Sequence, residues 1–355
     1  MYSLTPGFRV PAVQRGLSPL ETLLTKTTAG IGGAVLMSAV VAPPPLWALS
    51  AVGAAAGLLN VAPGPRSLGR WAAVGYRHLR ERAVPDSVTS RPGATRTWTL
   101  YPDHGTMQDP HRLAAFHEAF SRALTFVGGQ ARRAGIQVHV THHAMVGDCT
   151  AHTQTISVHI PQGLTPARVI DTVEHEFTAL GVLTPLTPDP VPAVTDRAAG
   201  WVGLDDGRYG ATARITGWPA EAGGDLMSNL LLGQDTDRSL AVLYRPLPTR
   251  QAHLSARWSE AAGEAFTNNK VKQDEHEIAS TSTHGALVQG ATLVDIDAYL
   301  TVWGDSPETV MDARQQALLD ADRHRIRLDW LPGQQHRAHM MTTPHGATTQ
   351  KGVIL

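Results

Sequence analysis

The sequence predicts an α+β protein: a two-helix transmembrane hairpin at the N-terminus, followed by two ferredoxin-like α+β subdomains on the cytoplasmic side. Three observations predict it. Residues 27–65 form a run of 39 without a charged side chain. A composition shift near residue 90 parts a basic lead, with 8 Lys and Arg against 3 Asp and Glu (net +5), from an acidic body with 22 against 28 (net −6). Beyond residue 91, strand-like and helix-like segments follow in the order strand, helix, strand, strand, helix, and then recur loosely. The implied boundaries are 1–90, 91–183 and 195–346. A length of 355 residues allows two or three domains, and an apolar fraction of 42% keeps any membrane part small. A body of that sign is a poor candidate for wrapping nucleic acid, which needs a phosphate-neutralising face.

Within the uncharged run, Thr27 to Ala42 and Leu46 to Ala62 each come near the roughly 17-residue lower limit for a bilayer span. Pro43, Pro44 and Pro45 cannot continue a helix between them, so they mark a tight turn. Arg9, Arg15 and Lys26 precede the first span, and Arg66, Arg70, Arg77, Arg80 and Arg82 follow the second, while the turn carries no charge. By the positive-inside rule both flanks face the cytoplasm and the proline turn is the extracytoplasmic tip. A cleaved signal peptide fits less well, because the first segment starts late and the basic flank would hinder export. A buried soluble hairpin is the other alternative.

The edges of the hairpin carry their own signals. "SPLE", Ser18 to Glu21, is a capping box with Pro19 at the first helical position. Gly53 and Gly57 form a GxxxG that suits packing within the hairpin or against neighbours. After Ser67 as N-cap, Leu68, Trp71, Gly75 and Leu79 share one helix face, with the arginines mostly elsewhere. Such a basic amphipathic helix lies along the cytoplasmic leaflet. It reads either as a stop-transfer flank or as a docking helix for another subunit; in the second case Arg66, Arg70, Trp71, Arg77 and Arg80 are the candidate docking residues.

In the body, Thr95 to Tyr101 reads as a strand and Asp109 to Gly135 as a helix started by Asp-Pro and stopped by Gly. "IQVHVTHH" and "QTISVHI" are alternating strands joined through Gly147 and Asp148, and Thr165 to Gly181 is a capped helix. "TPLTPDPVPAV", Thr184 to Val194, reads as a proline-rich linker. "RYGATARITGWP" then reads as a strand, "DLMSNLLLG" as a short helix and "RSLAVLYRPLP" as a strand. A long polar helical arm over about 250–283 leads to "TLVDIDAYLTVWG" as a strand. Residues 306–324 form a helix capped by Ser306 and Glu308, and "RIRLDWL" is the last strand.

Sequence-visible chemistry is sparse. "EHEF" offers His175 and Glu176, but position 179 is Ala, so the second imidazole of a zincin helix is missing. Alternation puts His139 and His143 on one strand face and His142 on the other, which disperses ligands; with His152 and His159 they read as surface histidines, not a metal cluster. Cys149, the one cysteine, excludes an intramolecular disulfide and reads as a small, partly buried thiol. No GxxxxGK[ST] is present, so there is no built-in P-loop ATPase, and no G-x-S-x-G elbow appears. No catalytic, cofactor or metal residue is assigned.

The layout as a whole resembles a known group. "GLSPLETLL", the short hairpin and "GRWAAVGYRHLRER" look like the PrgI-like membrane module of Gram-positive type IV secretion and conjugation systems. The body, through "ATARITGWP" followed by "LLLG", "RSLAVLYRPLP", "YLTVWGDSPETV" and "LDWLPGQQHRAHMMTTP", is similar to actinobacterial conjugation-associated integral membrane proteins. In these the module is fused to a part similar to the N-terminal, non-ATPase domain of VirB-type secretion ATPases. The family's Gln-Gln and Leu-Pro ending is matched by Gln334, Gln335 and Pro344, while His336 to His339 and the tail "TTQKGVIL" depart from it. The chain is also reminiscent of EccE, a membrane subunit of type VII secretion. The resemblance implies a non-enzymatic, membrane-anchored subunit without cofactor that docks a separate motor ATPase within an oligomeric apparatus. A membrane-tethered enzyme and a DNA-binding conjugation protein are the alternatives of another class.

Overall fold

The computed structural model describes residues 92–106, 109–130, 135–219, 226–232, 234–247 and 292–348, with positions 2–3, 54, 71–72, 75–76 and 221–222. Its contacts divide the chain into two units, one of Met1–Pro6, Val88–Leu331 and Gln335–Leu355, the other of Gly7–Ser87 and Pro332–Gln334. The expected hairpin with Pro43, Pro44 and Pro45, the arginines Arg66, Arg70, Arg77 and Arg80, and the polar arm over 250–283 lie outside the described residues. In the second unit Trp71, Ala72, Gly75 and Tyr76 are helical, with Trp71 half-buried and Tyr76 exposed. Among the described residues no helix is long and apolar enough to cross a membrane.

The first unit is α+β on a large antiparallel sheet. Its elements run β1 (Gly93–Tyr101), α1 (Pro110–Gln130), β2 (Gln137–Met145), β3 (Ala151–Pro161), α2 (Pro166–Phe177) and β4 (Val182–Leu186). They continue with β5 (Val194–Arg197), β6 (Val202–Leu204), β7 (Tyr209–Gly217), α3 (Leu226–Leu231) and β8 (Arg238–Pro246). The chain closes with β9 (Val294–Gly304), α4 (Pro307–Arg323), β10 (Arg327–Asp329) and α5 (Gln335–Ala338), then two 3-10 turns, His339–Thr342 and Pro344–Thr348. Across the sheet the order is β4-β1-β3-β2-β8-β9-β7-β6-β5, with β10 also paired to β7. The order β4-β1-β3-β2 in the first half and β10-β7-β9-β8 in the second is one arrangement used twice. The halves meet where β2 and β8 pair antiparallel, from Val138 opposite Tyr244 to Ala144 opposite Arg238.

Period-2 alternation decides which face each side chain takes. On one face Trp98, Leu100, Val138, Val140, Ile156, Val158 and Ile160 form a core with Ala119, Ala123, Leu124 and Val127 of α1 and Val173 and Phe177 of α2. The α1 residues recur every three or four positions, the spacing of a single helix face. On the same face of the second half, Ala211, Ala213, Leu240, Val242, Leu300 and Val302 pack with Val310, Ala313, Ala317 and Ala321 of α4. Tyr244 packs against both cores, its ring edge-on to Phe120 with centroids 5.1 Å apart. Arg238, wholly buried, ties three elements together: Nη1 donates to the Leu230 carbonyl at 2.8 Å and Nη2 to Asp320 of α4 at 2.9 Å.

Several sequence expectations change. The linker reading of Thr184 to Val194 narrows to residues 187–193, because its first residues complete edge strand β4 and Val194 opens β5. Pro185 is tolerated there because an outermost strand has no second neighbour needing its missing N–H. Strands β5 and β6, only four and three residues long, carry no alternation to read. The cap of α4 is Ser306 with Thr309, not Glu308: the Thr309 amide donates to Ser306 Oγ and the Ser306 amide to Thr309 Oγ1. Thr165 precedes α2 without a side-chain cap bond, and the proline in the first turn supplies a preset φ instead. Cys149 is exposed in the β2–β3 loop, a correction to the partly buried thiol, because the loop stands clear of both cores.

Candidate functional site

The sheet face opposite the helices is polar and buried, and it gathers most of the chemistry-bearing side chains. Gln137, His139, Thr141 and His143 of β2 alternate onto it with Thr155, Ser157 and His159 of β3, Ser239 and Arg245 of β8, Asp297 and Thr301 of β9, and Thr212 and Arg214 of β7. The 3-10 turns after α5 lie against this face, with Thr342 and Met341 reaching it through hydrogen bonds. Leu243, Tyr299, Leu331, Ala338 and Met341 make the small apolar cluster beneath them.

Hydroxyls pair across the strands in a ladder. Thr97 Oγ1 meets Ser157 Oγ at 2.9 Å, Thr141 bonds Thr155, and Thr212, Thr301 and Thr342 form a chain of 2.8 and 2.7 Å. Ser239 Oγ accepts the Trp303 indole N–H at 2.7 Å and lies 2.8 Å from Nδ1 of His143. Burial first, and then Arg208 nearby, lower the His143 pKa to about 4, which agrees with a neutral ring. Among the described residues no carboxylate bonds the other nitrogen of His143, and Ser239 is 2% exposed, so the pair lacks the orienting acid and the access of a nucleophilic serine.

A charged cluster sits at the seam of the two halves. Arg245 Nη1 donates to Asp297 Oδ2 at 2.5 Å and Arg245 Nε to Gln137 Oε1 at 3.2 Å, while Arg214 bonds the other Asp297 oxygen. Burial alone would push the Asp297 carboxyl up, but Arg214 and Arg245 overcome it and hold the pKa below the usual carboxylate value. The Tyr299 hydroxyl is pushed up to about 12, mainly by burial and then by Asp297. Tyr299 therefore stays neutral, and the cluster acts as a fixed ion network.

The Gln-Gln pair singled out in the sequence divides. Gln334 falls in the other unit, whereas Gln335 is buried and spans a gap in the ladder of β7. On the outer side of β7, β6 pairs at Tyr209 and Gly210 and β10 from Arg214 onward. Between them the Thr212 amide donates to Gln335 Oε1 at 2.7 Å and Gln335 Nε2 donates to the Thr212 carbonyl at 3.0 Å. A side-chain amide thus stands in for one strand residue. Pro344 begins the last 3-10 turn, and Gly346 lies so close to His139 that a Cβ there would be 2.7 Å from the ring.

His139 and His159 are buried, a correction to the surface reading, because both alternate onto the covered face. His139 Nε2–H donates to the Met341 carbonyl at 2.9 Å, and His159 Nδ1 meets Thr95 Oγ1 at 2.9 Å. His142 and His152 project from the helix side, as alternation requires, and touch each other. His175 is exposed on α2. No group of three His, Cys, Asp or Glu converges as a metal site among the described residues. Of the sequence-predicted residues, Trp71 is described, in the second unit, and Pro43 to Pro45 and the four arginines are not. Sequence reading missed Gln137, Arg214, Arg245 and Asp297; for the last three, a charge inside a strand pattern was the available signal.

Fold and site together define an α+β protein whose large antiparallel sheet carries one apolar, helix-covered face and one buried polar face. No protein-family model matches the chain, and no curated protein matches it.

Proposed function

We propose that the protein is a membrane-anchored, non-enzymatic assembly subunit of a conjugation or secretion apparatus, with its α+β body in the cytoplasm docking a separate motor ATPase. The observation that carries this reading is the uncharged run 27–65, broken once by Pro43 to Pro45 and flanked on both sides by basic residues. It supports a hairpin with both ends cytoplasmic. We read the two halves of the sheet as two ferredoxin-like units joined through their second strands. A covered polar face whose hydroxyls and charges largely bond one another supports a scaffold better than a catalyst. The type IV and type VII assignments share this anchor, and the partner ATPase distinguishes them.

Cys149 supplies a native topology reporter, since it is exposed and is the one cysteine. A membrane-impermeant maleimide should label it in lysed cells and not in intact ones. In a Cys149→Ser background, Pro44→Cys should label in intact cells. Recovery of the chain in the soluble fraction sinks the anchor, and labelling of Cys149 from outside overturns the cytoplasmic placement of the body. Co-purification of a P-loop ATPase should be lost when Arg66, Arg70, Trp71, Arg77 and Arg80 are replaced together; retained binding removes the docking role of that helix.

A further inference from the structure

We propose that His142 and His152 are the two protein ligands of a metal site that takes a borderline dication of the zinc, nickel or copper class, with water in the remaining positions. The two lie on adjacent antiparallel strands. His142 is opposite Gln154 and Ala144 is opposite His152, so the imidazoles share one face and are offset by two residues along the ladder. His142 Nδ1 and His152 Nε2 are 3.2 Å apart, with ring planes within 3° and centroids 5.4 Å apart.

That separation is the bite of a chelate. Two nitrogens bound at about 2.0–2.1 Å in tetrahedral geometry stand about 3.3–3.4 Å apart. Closing on an ion changes the separation by only about 0.2 Å; the centroid distance shows the nitrogens facing each other, so each ring must also turn by about 20–35° to aim its lone pair at a shared ion. His152 is exposed and pairs across the ladder with Ala144, whose side chain is no larger than a methyl. Each ring keeps its other nitrogen for the proton, as a neutral imidazole ligand requires. The donor set excludes magnesium and calcium, which take oxygen ligands. With no third protein ligand among the described residues, the site is open. It is independent of the assembly role.

The competing account of the contact is a hydrogen-bonded histidine pair with no ion. Full-length protein purified in detergent, stripped with chelator and titrated with Zn2+ in a calorimeter, distinguishes the two. One site is expected, and His142→Ala or His152→Asn should weaken it at least as much as losing an outer-shell partner does, about 10- to 100-fold. His175→Ala, remote on α2, should leave it unchanged. Cu2+ at one equivalent should show two-nitrogen hyperfine structure that falls to one in either variant. His152→Asn retains a hydrogen-bonding side chain, so a fold defect is recognisable as a fall in Tm without metal. Equal titration curves for all proteins, or a two-nitrogen pattern surviving in a single variant, overturns the proposal.

Discussion

Asp297 shows at the level of one residue what a buried charge does here. Its two oxygens are divided between Arg214 and Arg245, which come from different strands. Removing it leaves Arg245 with Asp295 and Gln137 and Arg214 partly open to water, so Asp297→Ala should cost about 1.5–3 kcal/mol in a urea titration, the range of a lost bond to a charged group. His139 makes a second prediction, on pH. Burial lowers its pKa, the bond to the Met341 carbonyl partly offsets this, Arg245 lowers it again, and the result is about 4. The native ring is thus neutral where the unfolded one, near 6.5, already binds a proton. The native state binds fewer protons over that window, so stability is full above about pH 6.5 and falls as pH drops towards 4. His142 and His143 are lowered as well, so the comparison that isolates His139 is wild type against His139→Leu, which should show a flatter dependence of the urea midpoint over the same range. Alternation told correctly which face His139 takes. It could not tell that this face is covered.

At the scale of elements, the segment after β10 is held by substitutes for regular pairing. Gln335 fills the gap at Thr212 between β6 and β10 on β7, and Gln335→Ala leaves a buried N–H and a buried C=O of Thr212 without partners. Each should cost about 1–3 kcal/mol. Gln335→Glu should not rescue it, because a carboxylate cannot donate to the Thr212 carbonyl. Gly346→Ala should push against the His139 ring and lower stability by about 1–3 kcal/mol, the usual cost of overpacking. Ser306→Ala removes one partner of the α4 capping box and should cost about 1 kcal/mol. Long elements such as β2, β3, β8, β9 and α4 were legible because eight or more residues of one period outweigh local noise. Strands β5 and β6 were not, since β6 is placed by its pairing with β7 and β5 by its pairing with β6.

For the whole molecule, the pairing of β2 with β8 decides the outcome. Each half alone would leave a long edge strand rich in Val and Leu open to foreign pairing. Joined, the edges satisfy each other, and Tyr244 inserts between the two cores. The two halves should therefore unfold together. Fluorescence from a variant keeping Trp98 as the one tryptophan of the sheet unit, and from another keeping Trp330, should report the same urea midpoint within error, and separated transitions would show two independent folding units. By itself the sequence determined the α+β class, the identity and order of the long elements and the alternation of the long strands, because periodicity is a local property of the chain. Only the tertiary structure decided that the halves share one sheet, that the polar face is buried, and that Gln335 completes a strand. Those depend on which edges and hydrogen-bonding groups are left unsatisfied once the local elements exist, and residues far apart in sequence satisfy them.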